Sequence, residues 1–149
     1  MSEQSQSLSR EPFPLRSANG KPIAGPRFVG GLCAIAEAVF STTEGPPPGE
    51  RLTWLKDELE DFLARAGSQT RLILRLALLA ITIVAPLLIL RLPTLGRLAV
   101  GDRVRALARM EDSALGAPVL AVKALLCILY YEHPDAQAEV GFDGECLRS

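Results

Sequence analysis

Fifteen consecutive residues, Leu76 to Leu90, carry no charge; Arg75 and Arg91 bound the run and Pro86 interrupts it. A segment this apolar has to leave water, and the choice of where it goes constrains the rest of the fold. A helix needs about twenty apolar residues to cross the hydrocarbon of a bilayer. The run falls short of that unless it also takes in Leu72 to Arg75. It therefore reads as a central buried helix kinked at Pro86, with a membrane-embedded segment over residues 72–90 as the alternative.

A second apolar helix is expected from Val119 to Tyr131, opened by Pro118, with Lys123 as its only charge before Glu132. A helix of that composition should be surrounded by others. The wrapping segments are amphipathic. Phe28, Leu32, Ile35, Ala36, Val39 and Phe40 share one face of a helix over Val29 to Ser41. The run Glu44-Gly45-Pro46-Pro47-Pro48-Gly49 ends that helix as a stiff linker, because three prolines remove donors and fix φ. From Glu50 to Ala66, Leu52, Leu55, Leu59, Phe62 and Leu63 recur at helical spacing, with Trp54 beside them and Lys56, Asp57, Glu60, Asp61 and Arg65 mostly opposite. Gly67 stops this helix, and Ser68 or Thr70 can cap the next. After the Pro93–Gly96 turn, Asp102 opens a short helix with Val104, Leu107 and Met110 inward and Arg103, Arg105 and Arg109 outward.

With 48% apolar residues and only 5% aromatic ones, dominated by Leu, Ala, Ile and Val, the chain fits an all-α protein. The expected architecture is a compact bundle of about five helices in one domain, residues 28–149, in which two apolar helices are wrapped by three amphipathic ones. A disordered arm, residues 1–27, precedes it, and an irregular C-terminal tail follows. The arm lacks the apolar core of a secretion signal, which points to a cytoplasmic protein or one peripheral to the inner membrane.

The formal net charge of −1 gives no field that would attract nucleic acid. The ends differ in sign, basic before Val29 and acidic after Glu132. Cys33 and Cys127 read as buried thiols and Cys146 as an exposed one; three widely spaced cysteines indicate neither a zinc site nor a disulfide framework. His133 sits where Pro134 should end the last helix, and it favours the helix dipole there. A catalytic His133 would need partners at acid–base or metal-ligand spacing, and none stands nearby in sequence. No phosphate-binding loop or nucleophile elbow is present. The carboxylates of Lys56 to Asp61 read as a solvated face. No catalytic, cofactor or metal residue is therefore expected in this chain.

The run KALLCILYYEHPDAQAEVGFDG, Lys123 to Gly144, resembles the C-terminal signature of the small, gamma-type subunit of gluconate 2-dehydrogenase. That signature has a tyrosine pair, a proline three positions on, and then Gly-[Tyr/Phe]-Asp-Gly. The run is also similar to the helical region ahead of the flavin domain in long-chain fatty alcohol oxidases of the glucose-methanol-choline group. Leu32 to Pro48 resembles the family's opening helix and proline-rich exit, and Arg97 to Ser113 a further helical segment. The resemblance implies a non-catalytic accessory subunit on a large flavin-dependent oxidoreductase, a separate polypeptide that holds the FAD. It implies a partner interface at Tyr130, Tyr131, His133, Pro134, Gly141, Phe142, Asp143 and Gly144. Many family members carry an export segment ahead of the first helix, and this chain shows none.

Overall fold

A computed structural model describes residues 25–92 and 94–141. Six α-helices make up these residues, α1 (Pro26–Val39), α2 (Gly49–Arg65), α3 (Ser68–Leu88), α4 (Val100–Glu111), α5 (Ala117–Tyr130) and α6 (Pro134–Glu139), with a 3-10 turn at Leu95–Arg97. The protein is an all-α bundle, and no strand is formed among the described residues. The expected arm over residues 1–27 lies outside the described residues up to residue 24, and α1 already begins at Pro26. Proline at the first helical position loses no hydrogen bond, because that N–H has no partner in any helix.

α1 ends at Phe40, and the chain turns back through a bridge in which Thr42 and Gly45 exchange both backbone hydrogen bonds, at 2.9 and 3.1 Å. Gly45 sits at φ 131, a conformation that side chains rarely adopt. Pro47 is buried, so the proline run is packed as well as stiff. α2 then lays Leu55, Leu59 and Leu63 on the core. Gly67, rather than Ser68 or Thr70, is the N-cap of α3, and no side chain caps that end.

The inner pair of the bundle differs from the expected one. α1 and α5 each pack on α2, α3 and α4 as well as on each other, whereas α3 packs on α1, α4 and α5 from the outside. Small residues explain the exchange. Gly31 of α1 lets α3 approach so closely that a Cβ there would lie 2.9 Å from Leu78 Cδ2. The face that α3 turns inward, Leu74, Ala77, Leu78, Ile81 and Ala85, also includes two alanines. Its larger residues point the other way. Leu72, Ile73, Leu76, Leu79, Ile83 and Leu87 are each more than half exposed, so α3 is not the buried central helix expected from its composition. Pro86 falls in the last turn of α3, where its missing N–H removes little of the ladder.

Two further expectations change at α4. Asp102 is in the first turn as expected, and Leu107 and Met110 are buried, but Val104 is exposed. Arg103 points inward: its side chain is 12% exposed and pairs with Glu37 of α1 at 2.6 Å. It also donates to the carbonyl oxygens of Ala34 at 3.1 Å and Leu98 at 2.9 Å. Arg105 pairs outward with Asp102, as a solvated residue should. Between α4 and α5, Gly116 is buried so tightly that a Cβ would overlap the backbone carbonyl of Glu111, and Lys123 meets Glu111 at 2.7 Å across the same corner.

Candidate functional site

The C-terminal residues singled out in the sequence meet at a corner where the end of α1, the start of α2 and the end of α5 converge with α6. Tyr130 is buried and stacks on Phe40, with ring centroids 3.8 Å apart and planes 11° from parallel. Tyr131 stands edge-on to Tyr130 at 5.5 Å and to Phe40 at 6.2 Å, and it is partly exposed. Stacked and perpendicular ring pairs are the two arrangements that the aromatic quadrupole favours.

Arg51, at the start of α2, reaches across to α6 and donates two hydrogen bonds to the Glu139 carboxylate, at 2.7 and 2.6 Å. A longer contact of 3.4 Å goes to the Tyr130 hydroxyl. The paired geometry matches the guanidinium fork to both carboxylate oxygens. The Glu139 carboxyl is held below the ordinary glutamate range, first by its hydrogen bonds from Arg51. Arg51 is pushed above the ordinary arginine value by the hydrogen bonds to Glu139 and then to Tyr130.

α6 is a feature the sequence hid. The tail beginning at Asp135 reads as irregular, yet Pro134–Glu139 is a helix, and His133 is its N-cap rather than a residue of the preceding dipole. The His133 Nδ1 accepts the Asp135 backbone N–H at 3.2 Å, which places the ring proton on Nε2. The ring lies edge-on to Trp54 at 5.1 Å. Of the expected interface residues, Tyr130 closes the protein's own core, His133 is half-buried, and Tyr131, Pro134 and Gly141 are exposed. Gly141 follows α6 at φ 73. Phe142, Asp143 and Gly144 lie outside the described residues.

At this corner the Glu139 carboxylate is locked to Arg51 and the His133 imidazole is engaged as a cap. Among the described residues no group of three or more His, Cys, Asp or Glu is placed to hold a metal ion. Cys33 and Cys127 are half-buried rather than buried. Burial pushes the Cys33 thiol above its usual value, with Lys56 lowering it and Glu60 raising it by lesser amounts. Cys146 lies outside the described residues. A shallow hollow of about 380 Å³ is lined by Ile89, Arg105, Ala108, Arg109 and Asp112; it opens on the outer face of α4 and encloses no reactive group.

The hold of Arg51 on α6 has a pH dependence of definite sign. A carboxyl whose native pKa is depressed contributes stability above its unfolded value, ~4.3 for glutamate, and loses it as pH falls through the lowered native value. Acidification is therefore expected to release α6 before the bundle unfolds. Protection factors of the amides at 135–139, corrected for the intrinsic pH dependence of exchange, should fall in that window while those in α1 stay high. Glu139→Gln should show the fast α6 exchange already at neutral pH. Equal protection of α6 in both proteins would contradict the assignment.

The sequence offers residues 72–90 as a membrane segment in the alternative, but it does not show which faces of the two apolar helices turn outward. On α5, Leu120, Ala121, Ala124, Ile128 and Tyr131 are exposed and uncharged, at the spacing of one helix face. On α3 the exposed row is Leu72, Leu76, Leu79, Ile83 and Leu87, flanked by Ile73 and Leu88. The available signal was an excess: both helices have more large apolar residues than one buried face can take.

No family model, no curated protein and no solved structure matches the chain. The likeness to the gluconate 2-dehydrogenase small subunit is thus carried by the quoted motifs alone.

Proposed function

We propose that the protein is a non-catalytic accessory subunit that packs, through the outer face of α5 and the adjoining corner, on a large flavin-dependent oxidoreductase of the glucose-methanol-choline type. The partner would oxidise an alcohol or sugar carbon and hold the FAD. The observation that supports this most is the exposed, uncharged row Leu120–Ala121–Ala124–Ile128–Tyr131 along one face of α5, with Pro134 and Val140 also exposed beyond its end. Alanines allow close helix approach, and a tyrosine at the end of the row is the residue type that protein interfaces enrich. Tyr131 and Pro134 of the motif likened to the family's C-terminal signature are exposed at the end of this row.

Co-purification from the native source tests it. The tagged chain should bring down a large subunit with flavin absorbance. Ile128→Glu, at an exposed position, should weaken that capture about thirtyfold, the effect of a ~2 kcal/mol interface residue, without altering helix content. A chain that purifies alone as a stable monomer and changes no oxidoreductase activity would refute the proposal.

A further inference from the structure

We infer that the outer face of α3 seats the protein in the plane of an anionic lipid surface. This face is separate from the α5 row and does not depend on the flavoprotein reading. Leu72, Leu76, Leu79, Ile83 and Leu87 follow one another at steps of four, three, four and four, a single row about 22 Å long at ~1.5 Å per residue. The row contains only leucine and isoleucine. Beyond its C-terminal end, Leu90 and Leu92 are each 94% exposed.

Leu90 adds an observation of its own. It occupies φ 56, and the Leu90 and Arg91 N–H groups close α3 on the carbonyls of Leu87 at 3.0 Å and Pro86 at 2.9 Å. This is the helix stop that glycine ordinarily fills. A leucine there is strained and touches no core. An apolar side chain held outward at that cost to the monomer is accounted for by something apolar outside.

Charge selects the occupant. From Phe62 to Gly101 the sequence has five arginines and no aspartate or glutamate. Arg71 and Arg75 border the row near its start, Arg75 leaning over the Phe28 ring at 5.8 Å. Arg91, 56% exposed, lies just past its end, and the acid facing it, Asp102, is 3.8 Å away. A second copy of the chain would set arginine against arginine whether the two α3 rows ran parallel or antiparallel. A protein interface would be expected to draw on aromatic residues, which the row lacks. Leucines with an arginine rim fit acyl chains below and phosphate headgroups at the edge, the arginine stems spanning between them. α3 has the length and composition to cross a bilayer, but Leu74, Ala77, Leu78, Ile81 and Ala85 are committed to the bundle. Spanning would tear them out, so the helix lies flat.

Sedimentation of the full-length protein with phosphatidylcholine vesicles, with and without phosphatidylglycerol, tests this. Binding is expected with phosphatidylglycerol, at least about tenfold tighter than without it and weakened by salt. Leu76→Gln with Ile83→Gln, both at exposed positions, should lower it by on the order of tenfold or more with unchanged helix content. Arg71→Gln should cost about fivefold. Leu90→Gly should bind vesicles more weakly while unfolding at higher urea, opposite signs that a purely structural role would not produce. Absence of vesicle binding, or equal binding to neutral and anionic vesicles, overturns the inference. So does a dimer that the Leu76/Ile83 variant splits, or flavoprotein capture lost in that variant, since either gives the face to a protein. Vesicle binding without flavoprotein capture counts only against the accessory-subunit reading, and capture without vesicle binding only against this one.

Discussion

Tyr130→Ala is expected to destabilise the protein by about 3–4 kcal/mol, read from the shift in the urea midpoint at constant slope. The ring is 5% exposed, lies flat on Phe40, and fills the angle between α1, α2 and α5, so its removal leaves a cavity that three helix ends cannot close. Tyr130→Phe separates ring from hydroxyl. The hydroxyl's one hydrogen bond among the described residues, from Arg51, is long at 3.4 Å, and the phenylalanine variant should lie within about 1 kcal/mol of the parent. If the two variants lost equal stability, the energy would reside in the hydroxyl, and the packing account would be wrong. Because Tyr130 also positions Tyr131, the alanine variant should weaken partner capture as well, whereas the phenylalanine variant should not.

Arg103→Ala is the second large effect, expected at about 2–3 kcal/mol. Its guanidinium bonds Glu37 and two backbone carbonyls at once, and truncation leaves the half-buried Glu37 carboxylate without this partner between α1 and α4. Lysine offers a point charge in place of a fork and should recover only part of the loss. A double-mutant cycle between Arg103→Ala and Glu37→Ala should give a coupling above about 1 kcal/mol. Strict additivity would mean that the pair, though formed, does not hold the helices together.

These two residues show where sequence reasoning works and where it stops. α2 was legible because its leucines and its charges fall on opposite faces, and the contrast fixes the orientation of the helix. The same logic placed Leu107 and Met110 inward. It misplaced Arg103, whose partner Glu37 is 66 residues away and leaves no local trace. α3 and α5 offer no contrast, since both of their faces are apolar; composition announced helices but not which side meets the core. The decisive detail there is a glycine on another element, Gly31, against which Leu78 packs. At the C-terminal corner the tyrosine pair and Pro134 stand out in the sequence, but Pro134 reads there as the end of one helix. A proline serves equally as the first residue of the next, and only the Nδ1 contact of His133 distinguishes the two.

The outward row on α3 also bears on the life of the molecule before it reaches any destination. A newly made chain would display several unshielded leucines side by side, the kind of surface that folding helpers and degradation machinery recognise. Its cellular abundance should then follow the supply of whatever covers α3 rather than the rate of its own synthesis, and surplus copies should be short-lived.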